Sequence, residues 1–201
     1  MKMEKINAED KILVNLLKQF SINWTITSLA NETNISRVGI WKVLKKLEKE
    51  KSIRLIKIGQ GKTSTISVKL NWTNMILEKK LSLILTKEAS KEQRWLNNFE
   101  ELGNITDFTV IYGSILHSPK EANDIDILEI VSNKNDFLKI EKSIQKIQKT
   151  QIKKIHSESF TKTEFEDELK KPNEIFIESL KKGVILFGQE KFIKFMRDIQ
   201  K

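Results

Sequence analysis

Apolar residues at Ile6, Ile12, Leu13, Leu16, Leu17 and Phe20 recur three and four apart with charges between them, which predicts a helix over 4–20. Thr25 or Thr27 can cap a short helix through Asn31 that carries Ile26, Leu29 and Ala30. Ser36 then stands where an N-cap belongs, ahead of a longer helix to about Lys51 with Ile40, Val43, Leu44 and Leu47 on one stripe. After Ser52 the period changes from helical to alternating. Ile56 and Ile58 lead into Gly59-Gln60-Gly61-Lys62, and Ile66, Val68 and Leu70 alternate on the way out, the pattern of a hairpin with a glycine-rich tip.

The second half mixes both periods. Helical spacing covers 73–88 and then 89–103, where Trp95, Leu96, Phe99 and Leu102 face inward and Gly103 reads as the stop. Apolar runs at 107–112 and 124–131 read as buried strands. A helix at 134–149 and a short strand at Ile152–Ile155 follow. Helices at about 161–170, 173–182 and 189–199 end the pattern, with Val184–Phe187 as a packed apolar connector.

Three helices followed by a hairpin, with Ser28-Leu29-Ala30 leading through Ser36-Arg37 to Leu44-Lys45-Lys46-Leu47, resemble the winged helix-turn-helix of transcription regulators over about residues 8–70. The resemblance implies duplex DNA as a partner. Ser36, Arg37, Trp41, Lys42 and Lys45 would lie on the recognition helix, with Gln60, Gly61 and Lys62 at the wing tip. Arg37 suits guanine, and Lys42 and Lys45 suit phosphates. Charge points the same way. Residues 1–72 hold 14 Lys or Arg against 6 Asp or Glu, whereas residues 73–201 hold 22 against 21. A basic module followed by a near-neutral one fits two parts with different partners, the first a polyanion.

Composition narrows the remaining classes. At 39% hydrophobic and 31% charged the chain has the balance of a folded globular protein. The absence of cysteine removes disulfides and thiolate metal sites. No apolar run is long enough for a membrane span, and the N-terminal stretch has no signal-peptide core. The expectation is a cytoplasmic chain with no membrane partner.

The richest chemistry lies at 112–127. Gly113-Ser114 closes the first buried strand, a polar loop follows, and Asp124 and Asp126 open the second. Side chains two apart on a strand share a face, so both carboxylates look the same way beside a turn whose backbone can approach a phosphate. Hard cations with several phosphate oxygens suit such a pair. His117 and Lys120 in the loop read as solvated residues.

Gly113-Ser114 with Asp124-Ile125-Asp126 resembles the signature of the nucleotidyltransferase superfamily typified by DNA polymerase beta and its minimal relatives. Ile115-Leu116-His117-Ser118 departs from the Arg and Gly that many relatives carry in this loop. The resemblance extends over roughly residues 90–200, and Gly183–Gly188 is similar to a segment of archaeal relatives that also carry a winged helix. It implies Mg²⁺ at Asp124 and Asp126, an NTP cradled by Gly113 and Ser114, and a protein or RNA hydroxyl as acceptor. The family also carries an acid on a third strand. Gln151–His156, the matching segment, contains none, and Glu158 just past its end is the nearby substitute; His156 has the chemistry of a base and equally of a structural residue. Two outcomes stay open: catalysis with Asp124, Asp126 and a displaced Glu158, or a DNA-binding regulator whose second domain senses nucleotide without transferring it.

The expected architecture is therefore α/β, of the α+β kind. A winged helix-turn-helix occupies 1–72 and a linker or dimer helix 73–88, the likeliest homodimer interface. A nucleotidyltransferase-like domain with a small mixed sheet and C-terminal helices occupies 89–201.

Overall fold

The computed structural model describes residues 7–61, 64–171 and 174–200, so the predicted helix starts at 4–6 and 173, and Lys62 at the hairpin tip, lie outside the described residues. The chain is mixed α/β with two small sheets, and it divides after Ile84 into two compact units, Gln200 joining the first.

In the first unit α1 (Ala8–Lys18) is capped by the Asn7 side chain, which accepts from the Glu9 N–H. α2 (Ile26–Thr33) opens on a capping box in which Thr25 and Ser28 satisfy each other's backbone N–H. Asn34, at φ 55°, then turns the chain into α3 (Arg37–Lys49), whose first turn is capped by Ser36 accepting from Gly39 at 3.1 Å. Ile12, Leu13, Leu16, Leu17, Leu29, Ile40, Leu44 and Leu47 are buried, so the predicted stripes are the inward faces. β1 (Ile53–Ile58) and β2 (Thr65–Leu70) pair antiparallel from Ile53↔Leu70 to Ile58↔Thr65. Their tip uses Gly59 and Gly61 at positive φ, where a Cβ would strain the backbone. α4 (Met75–Ala89) runs across the boundary between the units.

The second unit is built on four strands in the order β5-β4-β3-β6: β3 (Phe108–Tyr112), β4 (Asp124–Val131), β5 (Lys154–Thr161) and β6 (Val184–Phe187). β4 pairs parallel with β5, and the other pairs are antiparallel. α5 (Gln93–Asn98), α6 (Glu100–Ile105) and α7 (Phe137–Gln148) supply Trp95, Leu102, Ile140 and Ile147 to a core with Ile111, Ile125, Ile127, Val131 and Ile155 from one face of the sheet. α8 (Lys162–Lys170), α9 (Glu174–Lys182) and α10 (Gln189–Ile199) cover the other face. There Phe108 packs edge-on against Phe165 at 5.9 Å and Phe192 at 5.3 Å, and Phe160 meets Phe176 at 5.6 Å. Each such aromatic pair adds roughly 0.5–1.5 kcal/mol beyond its buried area.

Three local expectations are corrected. Val184–Phe187 is an edge strand, not a connector; Val184, Ile185 and Phe187 pair with β3, with a register shift at Leu186. The helix expected over 89–103 is two short ones broken at Phe99 (φ −108°), and Gly103 lies inside the second instead of ending it. A Cβ at Gly103 would stand 2.9 Å from the Phe187 ring, so glycine there serves close packing on β6. The third strand is β5, eight residues long and mostly polar, which puts Glu158 in mid-strand.

One buried acid fixes how β5 lies on β4. Glu129 is wholly buried; it accepts from the Ser157 hydroxyl at 2.8 Å and the Ser159 hydroxyl at 3.3 Å. Burial pushes its carboxyl up to about 8, against the pull of the two hydroxyls. Because the folded value is raised, the stabilisation is full below the ordinary carboxylate range and is lost as pH rises through about 8. The thermal midpoint of the wild type is therefore expected to fall between about pH 5 and 8 more steeply than that of Glu129→Gln. Parallel slopes for the two proteins in a pH series of thermal melts would contradict this.

Candidate functional site

β3 carries the chain to Gly113, whose φ of 82° turns it out of the strand into a short 3-10 turn at Ser114–Leu116. The loop is tightly bonded: His117 and Ser118 donate their N–H groups to the Ser114 carbonyl at 3.0 and 2.8 Å, and Ala122 donates to Ser118 at 2.9 Å. Ile115 and Ala122 are buried, which holds this loop on the sheet, and the Lys153 ammonium donates to the Ala122 carbonyl. Ser114 itself is exposed.

Asp126 lies across from Tyr112 in the antiparallel pairing, next to Gly113. A Cβ on Gly113 would stand 2.3 Å from Asp126 Oδ2. The carboxylate thus occupies the space a side chain would need, and positive φ excludes other residues independently. Asp124 and Asp126 share a face of β4, while Ile125 and Ile127 between and after them fill the core on the other. Both carboxylates are partly buried. Burial and then the Asp124 charge raise the Asp126 carboxyl, and the adjacent His156 draws it back down.

The parallel register sets His156 beside Asp126 and Glu158 beside Leu128. One row across three strands therefore reads Tyr112, Asp126, His156. His156 Nδ1 is 3.3 Å from Asp124 Oδ2 and 3.5 Å from Asp126 Oδ1. One ligand atom from each of the three residues falls within 4.8 Å of the others, and among the described residues this is the group of metal-ligand type. Glu158 shares their face one step along. Burial first, and the Glu158 charge next, raise the Tyr112 hydroxyl, followed by Asp126. Toward the other end of the same face the row is Phe108, Ile130, Phe160, under the aromatic helices. The site lies where apolar cover gives way to carboxylates.

Of the residues predicted as catalytic and nucleotide-binding, Gly113, Ser114, Asp124 and Asp126 gather at one end of the sheet, and Glu158 lies in mid-strand beside Leu128 on the same face. His156 is the member whose place was not foreseen. The sequence offers it as a strand-end base or a structural residue, and its approach to both aspartates needs the parallel register.

The residues predicted for DNA lie elsewhere, along α3. Arg37, Lys42 and Lys45 are exposed and Trp41 is partly so. Lys45 stands over the Trp41 ring at 4.7 Å and also pairs with Glu48 at 2.8 Å. Lys46 is tied back to Glu9 of α1 at 2.5 Å, leaving the Trp41, Lys42 and Lys45 side as the open basic face. Ser36 spends its side chain as the cap of α3. Among the described residues no helix is long and apolar enough to cross a membrane. Comparison with protein families, with characterised proteins and with solved structures finds no match to this chain.

Proposed function

We propose that the second unit is a divalent-cation-dependent nucleotidyltransferase and that the first, a winged helix-turn-helix, binds duplex DNA. The observation that carries the enzymatic reading is the packing of the Asp126 carboxylate on Gly113, with Asp124 on the same face. It joins a cation-binding pair to a turn whose backbone is bare enough for a phosphate. The donor set fits a hard cation, since two partly buried carboxylates are held side by side. Asp124 and Asp126 would hold a cation such as Mg²⁺, which would supply charge neutralisation to triphosphate oxygens, and the Gly113-Ser114 turn would offer N–H groups and a hydroxyl to the phosphates. Glu158, on the same face, takes the proton of the acceptor hydroxyl. The acceptor oxygen then bonds to the α-phosphorus as pyrophosphate leaves.

A second reading is favoured by one observation: His156 stands beside Asp126 where the family that the motif resembles has an acid. On that reading the unit binds nucleotide and signals its presence to the DNA-binding unit without transfer. Both readings are separated by incubating the full chain with labelled NTPs, a divalent cation and RNA or protein acceptors. Transfer is expected, and Asp126→Asn is expected to lower it by at least the roughly 10–100-fold that follows loss of even an outer partner of a metal ligand. Cation-dependent NTP binding without transfer selects the sensor, and no NTP binding defeats both.

For the first unit, salt-dependent binding of the full chain to labelled duplex DNA is expected by anisotropy. The double variant Lys42→Ala, Lys45→Ala should weaken it and reduce the slope of log affinity against log salt by about 2. An unchanged slope would remove α3 from the interface.

A further inference from the structure

We propose that His156 is a third protein ligand of the cation held by Asp124 and Asp126, and that it turns the site from Mg²⁺ toward a later first-row transition cation such as Co²⁺. The proposal rests on the metal–nucleotide reading of these residues and concerns what the cation is.

Placement is the first ground. His156 is the register partner of Asp126 on a parallel neighbour, and the bonds from Ser157 and Ser159 to buried Glu129 hold β5 against slipping. A one-residue slip would move the imidazole to the other face of the sheet. The ring nitrogen that faces the acids is Nδ1, at 3.3 Å from one and 3.5 Å from the other. A cation bonded at about 2.1 Å sets neighbouring ligand atoms about 3.0 Å apart in octahedral and about 3.4 Å in tetrahedral geometry. The two nitrogen–oxygen separations are compatible with ligands to one ion after a small side-chain rotation, and all three ligand atoms lie within 4.8 Å of one another.

Chemistry is the second ground. Mg²⁺ takes oxygen ligands and keeps waters, and oxygen ligands suit Mn²⁺ too, whereas imidazole suits the later first-row transition ions. Two carboxylates with one imidazole form a mixed oxygen and nitrogen set, and the chain has no cysteine to draw a softer ion. The His156 side chain is 44% exposed and the two aspartates 32% and 23%, so the far side of the ion stays open to phosphate oxygens and water. A site with three protein ligands and open positions is the arrangement of catalytic metal centres.

The test uses the full chain, with Co²⁺, Mn²⁺ and Mg²⁺ as probes in the absence of nucleotide. Competition calorimetry should give the wild type a Co²⁺ to Mg²⁺ affinity ratio at least about tenfold above that of His156→Asp. His156→Asn, which removes the imidazole without adding a charge, should show the same loss. Pulsed EPR of bound Mn²⁺ should show nitrogen coupling in the wild type and none in His156→Asp. An unchanged ratio in both variants, or Mn²⁺ bound with no nitrogen coupling, overturns the proposal and leaves His156 as a hydrogen-bonding neighbour of the acids. Asp126→Asn separates the two levels. If it abolishes cation binding while the His156 variants change nothing, only the choice of ion falls. If it leaves binding intact, the metal–nucleotide reading falls as well.

Discussion

The register of β5 on β4 is the constraint on which the second unit's chemistry depends. A parallel pair has no hairpin to set its alignment, so side chains must do it. Glu129 does so from the buried face by accepting from Ser157 and Ser159 at once. These serines flank Glu158 and the first of them follows His156, so the clamp acts next to the residues that face the acids. Desolvation makes Glu129 a costly residue at this position, and its raised pKa is the mark of that cost. One face of the sheet carries a desolvated polar contact, and the other carries the candidate site that the contact aligns.

Much of this was legible in the chain. The apolar runs at 108–112 and 124–131, the Gly113 turn and the spacing of Asp124 and Asp126 placed two strands and two acids on one face, and the structure has them there. Ser36, Leu44 and Leu47 likewise marked a cap and an inward stripe of α3. What escaped has physical causes. β5 is a sheet edge with Lys154, Ser157, Glu158 and Ser159 in it, so no alternation of apolar residues announces it. β6 has four apolar residues, too few to tell a strand from a connector, and is defined by its partner β3. Glu129 sits inside an otherwise apolar stretch from Ile127 to Val131, and its hydroxyl partners are serines 28 and 30 residues away. His156 needed a parallel pairing before its distance to Asp124 had meaning.

The two units divide the chemistry by charge. Basic residues concentrate before Trp72, and in the first unit α3 exposes Arg37, Lys42 and Lys45 while Lys46 is held by Glu9. The second unit collects acids at one sheet end and shields an aromatic layer at the other. On the function proposed above, a polyanion and a cation–triphosphate would be the complements of these two surfaces in turn.

The central claim is that the end of β3 and β4 beside His156 is one cation and nucleotide site. Amide NMR of the full chain, titrated with Mn²⁺ and a non-hydrolysable NTP analogue, tests it most directly. The account predicts that the signals of Gly113, Ser114, Asp124, Asp126 and His156 broaden first and together, ahead of those of α3. Broadening that begins elsewhere, or leaves these five unchanged when the analogue is bound, would contradict it.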